Sequence, residues 1–165
     1  MPPSSARKVT TPSSSSTRLD VAARYEPSLE LAGDFYDVFE LAESEVAVIV
    51  ADVTGHGVGP ALVMAQVRAH LRSLFHGTED LVSIMDTIDR FLAEDLDDNL
   101  FVTMLLAKLE PTSGKCTYVN SGHPSAHVVD QFGQAEENQG EFPVTGRDCP
   151  IIGVPSPEEG DALTG

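Results

Sequence analysis

The chain has 165 residues and a formal net charge of −16, from 26 acidic and 10 basic side chains. That length gives room for one domain with a substantial core, and the acidity argues against nucleic acid, whose phosphates are bound through basic surfaces; it fits a protein partner with basic patches, or solubility alone. No apolar run approaches the roughly 20 residues of a membrane span, the N-terminus lacks a signal peptide's apolar centre, and Cys116 and Cys149 form neither a metal-ligand spacing nor a disulfide framework, so the expectation is a cytoplasmic chain with free thiols and no membrane contact.

Residues 1–18, with Pro2, Pro3, Pro12 and the run from Ser13 to Ser16, cannot bury apolar surface and are expected to be a disordered tail ahead of a domain over 19–165. Residues 35–41 and 46–51 are rich in strand formers, and the polar Glu43-Ser44-Glu45 between them supplies a turn. A hairpin centred near Glu43 sets Asp34 opposite Asp52. Like charges placed opposite on antiparallel strands repel, and no Lys or Arg occurs between Glu26 and Arg68 to relieve them. A divalent cation held by oxygen ligands is the economical answer, provided the register holds, since a one-residue slip would send the two side chains to opposite faces. The plainer alternative is a pair of solvated or capping aspartates. Against it, residues 46–51 read as a strand buried on both faces that delivers Asp52 into a glycine-rich loop.

Pro60 fits the first turn of a helix whose apolar residues Leu62, Val63, Val67, Leu71, Leu74 and Phe75 keep helical spacing until Gly77. Strand, glycine loop and helix also describe a nucleotide-binding turn, but the third glycine of the dinucleotide fingerprint falls at Pro60 and no Gly-Lys-Ser/Thr is present. No Gly-x-Ser-x-Gly elbow occurs, and Thr54, the nearest hydroxyl, has no evident base. Thr78 is a candidate cap for a second helix carrying Leu81, Ile84, Met85, Ile88, Phe91, Leu92 and Leu96, with Asp86, Asp89 and Glu94 on a solvated face. Residues 101–109 and 116–120 form a hairpin around Pro111-Thr112-Ser113-Gly114 that ends at His123, and 131–159 reads as short strands with a long irregular connection. Strands, two helices, then strands imply an α+β domain. His56, among glycines, either faces a phosphate or fills the loop, and for His123 a structural hydrogen bond is favoured over catalysis.

Together these segments resemble the SpoIIE/RsbU-like bacterial branch of the PPM metal-dependent protein serine/threonine phosphatases. The resemblance is carried by Ala22-Ala23-Arg24-Tyr25-Glu26-Pro27, Ala32-Gly33-Asp34-Phe35-Tyr36-Asp37, Ala51-Asp52-Val53-Thr54-Gly55-His56-Gly57, Phe101-Val102-Thr103-Met104 and Asn120-Ser121-Gly122-His123-Pro124-Ser125, in the family's order. Ala32 and Ala51 stand where the family has glycines, and Ser121 and Ser125 where it has Ala and Pro. The resemblance implies an αββα sandwich of two mainly antiparallel sheets flanked by helices, and hydrolysis of phosphoserine or phosphothreonine at two Mn²⁺ or Mg²⁺ ions without a covalent phosphoenzyme. On it, Asp52 bridges the metals, Asp34 holds one directly or through water, the Val53 carbonyl adds an oxygen, and Gly55, His56 and Gly57 are candidate loop and phosphate contacts. The implied substrate is a phosphorylated regulatory protein such as an anti-sigma-factor antagonist. The family's later Tyr-Thr-Asp-Gly segment, with its metal-binding Asp, does not occur before Gly165. The expectation is therefore an incomplete site with weak Mn²⁺ binding, negligible turnover and self-association through an uncovered sheet edge. The alternative expectation is an interaction module that keeps the fold without the full metal centre.

Overall fold

In a computed structural model, the described residues are 7–10, 19–23, 33–41, 45–77, 80–95, 100–127 and 144–149. Strands β3 (Phe35–Glu40) and β4 (Val46–Val53) form the expected hairpin, with Phe35 opposite Ala51 and Glu40 opposite Val46. Helices α1 (Val58–Gly77) and α2 (Leu81–Asp95) follow, then β5 (Val102–Glu110), β6 (Lys115–Ser121) and β7 (Val144–Cys149). The sheet runs β3-β4-β5-β6-β7, antiparallel throughout except that β7 lies parallel to β6. Alternation sorts its faces. Phe35 and Phe39 of β3, Ala47, Ile49, Ala51 and Val53 of β4, and Val102, Met104 and Leu106 of β5 join Val67, Leu71 and Phe75 of α1 and Ile84, Ile88 and Leu92 of α2 in one apolar core. The fold is α+β, with both helices packed on one face of a mainly antiparallel sheet.

Several local expectations change. Arg7–Thr10, inside the segment read as a tail, is strand β1, paired antiparallel with β2 (Asp20–Ala23); Val9 and Thr10 are β-branched, and a partner strand satisfies backbone groups that water would otherwise have to solvate. The N-cap of α2 is Asp80, whose carboxylate accepts from the N–H groups of Ser83 (3.0 Å) and Val82 (3.3 Å); Thr78 and Leu96 lie outside the described residues. Leu62, assigned by spacing to the buried stripe, is 61% exposed, and Val50 shows that β4 is not buried on both faces, at 37% exposed. Cys116 is a free, half-buried thiol, and its burial raises its pKa. Among the described residues no helix is long and apolar enough to cross a membrane.

Among the described residues one charged group is buried beside this core. Asp37 is 1% exposed and takes a two-pronged hydrogen bond from Arg72 of α1 (Nε 2.6 Å, Nη2 2.8 Å) and another from Arg68 Nε at 3.1 Å. The Arg72 guanidinium also lies over the Phe39 ring, 4.8 Å from its centroid. Burial alone would raise the Asp37 pKa, but the hydrogen bonds and charges of Arg72 and Arg68 outweigh it and hold the carboxyl at about 2. The clamp ties α1 to the edge strand of the sheet, and with it the loop that α1 continues.

A carboxyl held this low contributes stability that is complete above the unfolded value near 3.8 and is lost as pH falls toward 2. We predict that Asp37→Asn costs on the order of 2 kcal/mol in urea denaturation at pH 7. The gap between variant and parent should narrow as pH falls below about 4 and close near pH 2; a gap independent of pH would contradict the ionic clamp.

Candidate functional site

The β3–β4 register, carried one residue past Phe35 and Ala51, brings Asp34 beside Asp52 at the open end of the hairpin. Ala51 and Val53 point into the helical core, so Asp52 between them points to the other face, where its carboxyl is hydrogen-bonded to Asp34. Loss of surrounding water, that hydrogen bond and the charge of Asp34 together push Asp52 up to about 6. Without a cation the two carboxyls behave as a coupled pair that retains a proton in a range where an isolated aspartate has lost it. A divalent cation held there would replace that proton and relieve the repulsion.

Val53 brings its carbonyl to the same place. It passes so closely over Gly33 that any Cβ there would collide with the Val53 oxygen and with its Cβ, which is why a glycine precedes Asp34. The loop beyond is fastened by Thr54: its N–H donates to the Phe101 carbonyl (3.0 Å), and its hydroxyl accepts from the Phe101 N–H (2.9 Å). Thr54 is thus a strap between loop and β5, consistent with its lack of a base. Gly55 and Gly57 have φ of +96° and +94°, a region that L side chains rarely adopt. His56 between them is exposed.

On the next strand Thr103 pairs with Asp52 in register, and its hydroxyl lies 3.0 Å from Nδ1 of His123. Burial lowers the His123 pKa, and the charge of Asp34, close enough to act on the ring, partly offsets the effect. The turn that delivers His123 is closed by Asn120, whose side chain accepts from the His123 N–H and donates to the His123 carbonyl, both at 2.9 Å, around Gly122 at φ +66°. The structural hydrogen bond expected for His123 is present, and the ring stands beside the carboxylates as well. Sequence reasoning did not assign Thr103, Asn120 or Gly33. The signal was Asn three residues before His across a glycine, and a glycine directly before Asp34.

Carboxylate and carbonyl oxygens suit Mn²⁺ or Mg²⁺. Among the described residues no third His, Cys, Asp or Glu joins the pair, so these donors fit the anchor of one ion.

Two predictions follow from this geometry. A raised aspartate carries no penalty below its unfolded value near 3.8, and its penalty grows in as pH rises through about 6. Asp52→Asn should therefore raise the melting temperature of the chelator-treated protein at pH 7.5 but not at pH 4, and weaken Mn²⁺ binding by calorimetry at least roughly tenfold. Unchanged Mn²⁺ affinity would remove Asp52 from the site. Gly33→Ala must displace the Val53 carbonyl and should cost roughly 1–3 kcal/mol. Gly59→Ala, with nothing within 4 Å of its Cβ in α1, should be neutral or mildly stabilising; equal denaturation midpoints for the two variants would contradict the close approach.

Comparison with known proteins agrees with the motifs. Residues 42–160 match the family described as Stage II sporulation protein E (SpoIIE). The chain is 27% identical to the phosphoserine phosphatase RsbP of Bacillus subtilis over 120 residues, covering 70% of this chain and 30% of that protein. It is 28% identical to the phosphoserine phosphatase RsbU of the same organism over 113 residues, covering 68% and 33%. It thus spans a third or less of the length of these curated relatives. Among solved structures, the RsbU and RsbW domains of Rv1364c from Mycobacterium tuberculosis match with a TM-score of 0.59 and 31% identity, over 67% of this chain and 31% of that one. The hairpin carboxylates, the strapped glycine loop and the His123 turn thus lie in a chain that belongs to the SpoIIE family, in the RsbU-like branch of the PPM metal-dependent protein serine/threonine phosphatases.

Proposed function

We propose that this chain is the phosphatase domain, over residues 19–165, of a cytoplasmic protein that hydrolyses phosphoserine or phosphothreonine on a regulatory protein such as an anti-sigma-factor antagonist. The observation that carries this reading is the β3–β4 register, which sets Asp34 beside Asp52 at the open end of the hairpin, with Asp52 raised to about 6. Membership of a family that includes phosphoserine phosphatases supports it.

In this reading Asp34 and Asp52 hold Mn²⁺ or Mg²⁺ with help from the Val53 carbonyl. When bound, such ions supply Lewis acidity toward the phosphoryl oxygens and make water a competent nucleophile at neutral pH. The protein's own part is placement. Gly33 admits the Val53 carbonyl, Thr54 fixes the loop to Phe101, and the Gly55-His56-Gly57 backbone lines the approach to the carboxylates at the start of α1, where N–H groups favour an anion. His123, steadied by Thr103 and Asn120, is positioned to meet the substrate from the turn after β6. A second reading, an interaction module that binds a partner without turnover, is favoured by one observation: the described residues supply only two acidic ligands.

The two readings separate in an assay of p-nitrophenyl phosphate and a phosphoserine peptide with and without Mn²⁺. In a form of the protein that carries the family's later Tyr-Thr-Asp-Gly segment, the phosphatase reading expects Mn²⁺-dependent hydrolysis that Asp52→Asn abolishes, and a larger loss for Gly57→Val than for His56→Ala, because the former forces a side chain into φ +94°. Metal-independent hydrolysis, or none in a form of the protein that binds Mn²⁺ tightly, would sink it. Total loss on His56→Ala alone would give that histidine a chemical role.

A further inference from the structure

The acidity of this chain is unevenly spread. The 20 residues of α1 contain Arg68, His70, Arg72 and His76 and no Asp or Glu, and the loop before α1 adds His56 and no acid. Arg68 and Arg72 share the one carboxylate of Asp37, and both remain 44% exposed, so the clamp leaves positive charge facing outward. At the other end of α1, next to the carboxylate site, Val58 and Leu62 are 63% and 61% exposed. One turn apart, they share a face. Ala65, Gln66, Ala69 and His70 are exposed further along the helix, and Phe101, held to the site loop by Thr54, is 37% exposed. The neighbouring α2 has the opposite character, with exposed Asp86 and Asp89.

We propose that the outer face of α1 is the docking surface for the phosphoprotein substrate, and that the substrate meets it with an acidic surface containing an apolar side chain that covers Val58 and Leu62. This rests on the phosphatase reading of the site. The net charge of −16 by itself would favour basic partners, but salt screens charges beyond about 8–10 Å, so a docked partner responds to the side chains it touches. The side chains beside the site are apolar, and those beyond them are cationic or neutral. A helix of this length is about 30 Å long, enough to contact roughly nine residues of an extended segment. Charge at such a rim governs choice of partner and encounter rate more than affinity, which suits an enzyme that must release its product.

The test uses two fluorescein-labelled 15-residue phosphoserine peptides sharing one leucine, one flanked by Asp and Glu and the other by Lys and Arg. Binding is followed by anisotropy with Mn²⁺ at physiological salt, and dephosphorylation in parallel. The acidic peptide should bind roughly 3- to 10-fold tighter than the basic one. Ala65→Glu/Ala69→Glu, at exposed helix positions that accept Glu, should erase or invert that preference, and Leu62→Ser should weaken both peptides. Each variant is first required to keep the parent's circular dichroism spectrum and melting temperature. Tighter binding of the basic peptide, or a preference untouched by the double substitution, overturns the proposal. Hydrolysis without preference removes the docking surface alone; preference without hydrolysis, in a form of the protein that binds Mn²⁺ tightly, supports the surface and overturns the phosphatase reading.

Discussion

The constraint on which the site depends is the register of β3 against β4. With Phe35 opposite Ala51, every second residue of both strands turns into the helical core, and the residues between turn away from it. A shift of one residue would bury Asp52 under the helices and expose Ile49 and Val53. The apolar packing of Ala47, Ile49, Ala51 and Val53 against α1 and α2 therefore enforces the register, and the register forces two carboxylates together. Hydrophobic energy, spread over the core, maintains a local electrostatic conflict that neither carboxylate could sustain alone.

Asp34 and Asp37, three residues apart, illustrate how the pleat assigns chemistry. An odd offset puts them on opposite faces. Asp37 turns toward α1, meets two arginines and is held at about 2, while Asp34 turns the other way and helps raise Asp52 to about 6. One short motif thus supplies a structural anion with its cations provided by the fold and, on the proposed reading, a metal-binding anion whose cation would come from solution. The clamp serves the site as well, because it fixes the helix that the glycine loop enters.

The hairpin pairing, the strand-loop-helix around Asp52, both helices and the β5–β6 hairpin were legible because periodicity and turn residues act locally and agreed with the tertiary packing. Less visible were groups whose role depends on a distant partner. Thr54 straps to a residue 47 positions away, and Asp37 finds its arginines 31 and 35 positions on; no spacing rule reaches so far. Leu62 fits the apolar stripe yet faces solvent, because periodicity locates a face without saying where its edge lies. Asp80 took the cap expected of Thr78 because a carboxylate one residue before the helix reaches the free N–H groups of its first turn directly. The net charge of −16 does not say where the acid lies, and α1 carries none.

The central claim is that the fold presses two carboxylates together so that a hard cation completes them. Carbon-detected NMR titration of the aspartate side chains, with and without Mg²⁺, tests it most directly. The account predicts a carboxyl inflection near 6 assigned to Asp52 in the metal-free protein, abolished by Mg²⁺ as the cation displaces the shared proton. An Asp52 that titrates near 4 and ignores Mg²⁺ would contradict it.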